Sequence, residues 1–151
     1  MTDVLLPLAL LYADDRREIR GATKFQKLAF LAQEEYGVEE LHEFEPHKYG
    51  PFSKSLTGAI KALEQKGLVK KREKQVSGGN QMVVYSLTSE GERVVRTLLN
   101  DRDEDVESTL EPVHELKRDK GGLSLDKLLR YVYKNYPEMT TESEHPLADK
   151  V

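Results

Sequence analysis

Cysteine and tryptophan are absent from the 151 residues, and aromatic side chains make up only 7% of them. Without a thiol there is no disulfide, no thiolate chemistry and no cysteine-ligated zinc. A long apolar run is missing as well. The longest, Val4 to Ala13, is about half the ~20 residues that cross a bilayer, and Pro7 interrupts it. Asp3 stands where a signal peptide would be positively charged, and no small-residue cleavage site follows. The expectation is a soluble, cytoplasmic protein with no membrane partner. No internal repeat and no low-complexity tract is present.

Charge is abundant, at 33% of residues against roughly 25% in an average domain, and the formal net value is −4. That value hides a contrast. Residues 1–45 and 89–119 each carry a net −5, whereas residues 46–81 carry +6. The island consists of Lys48, Lys54, Lys61, Lys66, Lys70, Lys71, Arg72 and Lys74, against Glu64 and Glu73. A local basic patch in an acidic chain points to an anionic partner. The plainer reading is a solvated lysine-rich surface.

Apolar spacing predicts a mainly α-helical chain with a small β-hairpin. A first helix runs from Asp3, as cap, to Asp14, and is apolar enough to be packed centrally. A second opens at Thr23, where Thr23 and Gln26 match a capping box, and stops at Gly37. Pro46, Gly50 and Pro51 then forbid a helix, and Glu43–Glu45 is a short strand or an extended turn. Ser53 caps a third helix over 53–66, with Leu56, Ala59, Ile60 and Leu63 inward and Gly67 as its stop. Its other face carries Lys54, Ser55, Thr57, Gly58, Lys61 and Gln65. Strands follow at Leu68–Gln75 and Met82–Leu87, with a tip at 77–80. Thr88 and Ser89 offer caps for a fourth helix, Ser89 pairing with Glu92 in a second capping box. A weaker helix beyond Asp101 is kinked or split at Pro112. Ser124 caps the last helix, and the tail after Pro137 is polar and loosely held.

Helix, helix, turn, helix, strand, hairpin, strand is the order of a winged helix-turn-helix, here with additional N- and C-terminal helices. Residues 1–99 would form that domain. Residues 100–137 would pack on the core or form a dimer interface, and 138–151 would be the tail. In such a fold the helix over 53–66 enters the major groove of double-stranded DNA and the wing over 68–87 lies on the flanking backbone. Ser53, Lys54, Ser55, Thr57, Gly58 and Lys61 are the candidates to approach bases. Lys70, Lys71, Arg72 and Lys74 are the candidates for phosphate contact, and Lys48 and Asn80 are further DNA-binding candidates. Lys24 and Lys27 on the second helix are further candidates for the backbone. No arginine lies on the outward helix face, so the commonest bidentate guanine contact is missing, which argues for modest specificity or readout by shape.

The runs Thr23-Lys24-Phe25-Gln26-Lys27-Leu28-Ala29-Phe30-Leu31, Phe44-Glu45-Pro46-His47-Lys48-Tyr49-Gly50-Pro51-Phe52-Ser53, Leu63-Glu64-Gln65-Lys66-Gly67-Leu68-Val69 and Tyr85-Ser86-Leu87-Thr88-Ser89-Glu90-Gly91 resemble the YwgA-like and Panacea (SocA-like) proteins, as well as uncharacterised archaeal winged-helix proteins. Tyr131-Val132-Tyr133 and Tyr136-Pro137 resemble the closing helix of the archaeal members. The resemblance implies the winged-helix fold. Because Panacea members act as antitoxins, some by contacting proteins, it also implies an alternative function as a protein-interaction module, an antitoxin or adaptor. The overall layout is similar to dimeric regulators of the MarR and PadR type, which implies a homodimer built by terminal helices, with recognition helices ~34 Å apart.

Catalytic and metal signatures are weak. His42 and His47 flank a bend with Glu43 and Glu45 between them, but a turn held by hydrogen bonds accounts for them better than a metal. Asp101, Asp103, Glu104 and Asp105 lack the glycine and final glutamate of a calcium loop. Gly78-Gly79 is not followed by a phosphate-loop lysine. No nucleophile–base pair stands out. The expectation is a DNA-binding transcriptional regulator, not an enzyme, without metal or cofactor. Ligand sensing beneath the last helices, with tyrosines lining a pocket, is a weaker third reading.

Overall fold

The computed structural model describes residues 2–75 and 81–141. Among them the chain is mainly helical with a small antiparallel sheet, as its patterning predicts. In order come α1 (Thr2–Arg16), β1 (Ile19–Arg20), α2 (Ala22–Glu35), β2 (Glu45–His47), β3 (Gly50–Phe52), α3 (Lys54–Gln65), β4 (Val69–Gln75), β5 (Gln81–Leu87), α4 (Ser89–Asn100), α5 (Glu104–Lys120) and α6 (Leu125–Asn135). A 3-10 turn, Pro137–Met139, closes the described chain. No described helix is long and apolar enough to cross a membrane.

The apolar run of α1 goes to the centre. Leu6, Leu8, Leu10 and Leu11 are fully buried, and the helix packs on α3 and α5. It is therefore spent inside its own protomer and does not offer the dimer face that the terminal-helix comparison predicts. Right-handed geometry also ends before Asp14: Ala13 is extended, and Asp14, Asp15 and Arg16 all have left-handed backbone, with φ of 55°, 57° and 58°. That conformation costs L-residues roughly 1–2 kcal/mol each. Contacts from α5 hold it. The Asp14 amide donates to His114 Nδ1 at 3.0 Å, and the buried Lys117 Nζ donates to the carbonyls of Ala13 and Arg17 at 2.8 and 2.7 Å.

Helix α2 begins two residues earlier than its capping box predicts. Gly21 (φ 101°) is the N-cap and no side chain caps the helix. The box fails because the Gln26 amide is used elsewhere, on Ser53. At the other end Gly37 (φ 78°) is left-handed, as expected. The segment without helical pattern folds as a two-residue-turn hairpin, β2–β3, in which Pro46 faces Pro51 and His47 faces Gly50. Helix α3 follows its sequence signals closely. Ser53 Oγ accepts from the Leu56 amide at 3.1 Å, and Leu68 N–H returns to Leu63 O at 3.0 Å over the left-handed Gly67.

Strands β4 and β5 pair antiparallel from Val69↔Leu87 to Gln75↔Gln81, and the two-residue β1 adds a third strand along β5. The hairpin tip lies outside the described residues, Asn80 included. Thr88 alone caps α4, its Oγ1 accepting from Gly91 N–H, because Glu92 pairs instead with Arg16 and Arg96. Helix α5 is continuous through Pro112, with Asp103 as its cap. Val106, Val113 and Leu116 of α5 and Leu128, Leu129, Val132 and Tyr133 of α6 join α1, α2 and α3 in one hydrophobic cluster. Met139, just past Pro137, packs against it too, so the described start of the tail is held rather than loose.

Candidate nucleic-acid interface and adjoining cleft

One helical turn is 3.6 residues, so burying Leu56, Ala59, Ile60 and Leu63 points Lys54, Gly58, Lys61 and Gln65 the opposite way. Lys54, Gly58 and Lys61 are exposed. The remaining candidates on α3 are occupied by the fold. Ser53 is 0% exposed, its hydroxyl used as the cap, which removes it from any surface. Ser55 is exposed as a residue, but its Oγ lies 2.7 Å from His42 Nδ1 and 3.0 Å from Ser53 Oγ. Thr57 Oγ1 accepts from Gln26 Nε2 at 2.9 Å and donates to Ser53 O at 3.2 Å.

Gln26 is the anchor of this end of α3. Its amide accepts from Ser53 N–H at 2.8 Å and donates to Ser53 O and Thr57 Oγ1. Gln26→Ala is expected to leave buried polar groups of Ser53 unpaired and to cost about 2 kcal/mol, read as a lowered urea midpoint. A midpoint unchanged from that of the parent protein would mean the amide is replaceable by water.

Strand β4 supplies the rest of the island. Alternation puts Lys70, Arg72 and Lys74 on one face and Lys71 and Glu73 on the other. All are exposed. Arg72 is not free: its guanidinium meets Glu18 at 2.7 Å, and Glu18 also faces Arg20. Lys48 is exposed in the β2–β3 turn. Among the described residues no carboxylate pairs with Lys48, Lys54, Lys61, Lys70, Lys71 or Lys74. The two α2 lysines do not reach outward as expected. Lys24 Nζ donates to Gly121 O and Leu123 O at 2.7 and 3.0 Å. Lys27 is 2% exposed and donates to Pro51 O at 2.9 Å, and burial alone pushes its pKa down to about 7.

Between α3 and β4–β5 lies a cleft of about 440 Å³, closed on its other sides by the start of α2 and by the β2–β3 hairpin. The stripe Thr57, Ile60, Lys61 and Glu64 forms one wall, and Lys71 with its cross-strand neighbour Tyr85 forms another. His47 stacks on Phe52 at 4.7 Å, and Tyr85 meets Phe25 edge-on at 5.3 Å. Tyr49, 48% exposed, completes the rim. Periodicity alone misses these residues because a hairpin of two three-residue strands, each containing a proline, has no period to detect. The one signal was the clustering of His47, Tyr49 and Phe52 around Gly50. His42 and His47 part company here, one buried against Ser55 and the other at the cleft. No protein-family model matches the chain, and no curated protein matches it.

Proposed function

We propose that the chain is a winged-helix protein that binds double-stranded DNA, and that it regulates transcription. Helix α3 would enter the major groove and the β4–β5 hairpin would act as the wing on the flanking phosphates. The observation that carries this reading is the set of five exposed lysines without carboxylate partners among the described residues, Lys54 and Lys61 on α3 and Lys70, Lys71 and Lys74 on the adjoining strand. Unpaired cations are the ones that release counterions from a nucleic-acid backbone. Gly58, with open space above it, lets the helix backbone approach closely. Ser53 and Arg72 drop out of the contact set for the reasons above, and Lys48 stays as an outlying phosphate contact. A homodimer would present two such surfaces, though not through α1.

The test is titration of labelled genomic and random duplexes at two salt concentrations. Lys54→Ala with Lys61→Ala is expected to weaken binding by about 1 kcal/mol and to change which fragments are preferred. Removing Lys70, Lys71 and Lys74 together is expected to weaken binding to every sequence and to flatten the log–log salt slope by roughly 0.9 for each phosphate that is no longer neutralised. Absence of any complex at low salt would end the proposal.

A second reading, a protein-interaction module such as an antitoxin or adaptor, is favoured by two observations. Glu18 neutralises the only arginine of the island, and Tyr49 stands half-exposed beside Lys48. A stoichiometric protein that copurifies, with no duplex binding, would select it.

A further inference from the structure

The cleft beside α3 has properties that a duplex surface does not require. Its volume, about 440 Å³, falls in the range of small-molecule sites, and stacked base pairs could not fill it. The lining includes the ring of Phe52, with those of Tyr85 and the fully buried Phe25. These rings are fixed in place. Lys27 tethers the β2–β3 hairpin through Pro51 O, and Gly50 lies so close to Tyr133 and the Lys27 stem that an added Cβ would come within 2.9 Å of the Tyr133 ring. Two ammonium groups, Lys61 from α3 and Lys71 from β4, line opposite walls without a carboxylate partner among the described residues. Glu64 brings an acidic group to the lining, an acceptor for a hydroxyl or N–H. The hydroxyl of Thr57 and the amide of Gln26 are already committed to the protein.

We propose that this cleft binds a small planar aromatic ring carrying an anionic group, and that the bound molecule competes with DNA for Lys61 and Lys71. Ring surface satisfies the aromatic lining, as in stacking and edge contacts generally, and the anion pairs with the two lysines of the lining. The competition half rests on the DNA reading; the binding half does not. Regulation follows from mutual exclusion alone: a ligand that binds only the DNA-free form weakens DNA binding by the same factor by which DNA weakens ligand binding.

The experiment uses the full chain, with 4-hydroxybenzoate and phenyl phosphate as separate probes and benzyl alcohol as the uncharged control. Binding is followed by calorimetry and by the resonances of Tyr49, Phe52 and Tyr85. The expected result is saturable binding of at least one anionic probe, with benzyl alcohol markedly weaker. The preferred anion then tells a carboxylate ligand from a phosphate one. Lys61→Gln and Lys71→Gln, both exposed positions, are each expected to weaken binding roughly fivefold with an unchanged melting temperature. Equal binding of the alcohol, indifference to both substitutions, or no shift of the three aromatic residues at millimolar probe overturns the site. Displacement of a labelled duplex by the same probe supports the competition. Probe binding without displacement overturns the competition alone, and a duplex that never binds ends the DNA reading while the ligand result stands.

Discussion

Gly91→Ala is expected to lower the melting temperature by about 10 °C, equivalent to roughly 3 kcal/mol in a chain of this size. A Cβ at this position would lie 2.2 Å from the backbone carbonyl oxygen of Leu68 and 2.8 Å from Leu87 Cδ1. The Leu87 side chain can adjust, but the backbone carbonyl cannot step aside cheaply. The Leu68 carbonyl already accepts from Thr88 N–H at 3.0 Å, and the Thr88 hydroxyl both caps α4 and donates to Gly67 O at 2.7 Å. The methyl group would pry α4 away from the end of α3 and open three hydrogen bonds at once. Helix propensity pulls the other way, since alanine is better than glycine inside a helix by about 1 kcal/mol. The sign of the measurement is thus decisive. Gly58→Ala is the internal control: it is helical, outward-facing and has nothing within 4 Å, so it is expected to raise stability by about 0.5–1 kcal/mol. Thermal unfolding followed by circular dichroism distinguishes the two. If both substitutions stabilise, the close packing of α4 on Leu68 is wrong.

The same residues explain what was legible beforehand. The segment Leu87-Thr88-Ser89-Glu90-Gly91 reads as a helix start from its cap alone, but not why its fifth residue is glycine. That reason is the Leu68 carbonyl, a neighbour 23 positions earlier in sequence. Ser53, Gly67 and Ser124 were readable as helix boundaries because caps and stops act within four residues. Thr23 with Gln26, and Ser89 with Glu92, fit the same local rule and fail it. Gln26 and Glu92 find partners on other residues, Ser53 in one case and Arg16 with Arg96 in the other. The basic island was legible as composition. Its division into free lysines and a neutralised Arg72 was not, because Glu18 lies just before a β1 strand only two residues long. The cleft was the least visible feature. It is built where several elements meet, and each contributes residues that look ordinary on their own.

Stability is expected to rise steeply with pH between about pH 8 and about pH 10, by roughly 1.4 kcal/mol per pH unit for each of two buried lysines. Both are 2% exposed. Burial lowers Lys27 to about 7; burial foremost, with Arg17 and Lys24 nearby and Asp14 opposing, lowers Lys117 to about 8. In the unfolded chain each returns to its ordinary value of 10.5. Across that window the native state holds the amines neutral while the unfolded state binds the protons. Raising the pH therefore removes a penalty on the folded form. Lys24, also lowered by burial, acts in the same direction. So does His42 on the acid side, since burial keeps it neutral and acidification must charge it. Above about pH 10 the sign reverses. Burial and the carboxylate of Glu35 raise Tyr131 to about 12, and Tyr36 and Tyr136 are raised further, so the unfolded chain loses tyrosine protons first and stability falls again. Urea titrations from neutral to alkaline pH should trace this maximum. Lys27→Met and Lys117→Met are each expected to reduce the slope below the maximum by about half, whatever each does to absolute stability. The two substitutions differ in what else they disturb. Among the described residues Lys27→Met releases Pro51 O alone, whereas Lys117→Met frees the carbonyls of Ala13 and Arg17 that hold the left-handed Asp14–Arg16 turn, so it should lower stability at every pH. A slope that persists unchanged in both variants would mean that the two amines stay protonated in the fold, and that water or an unrecognised anion reaches them.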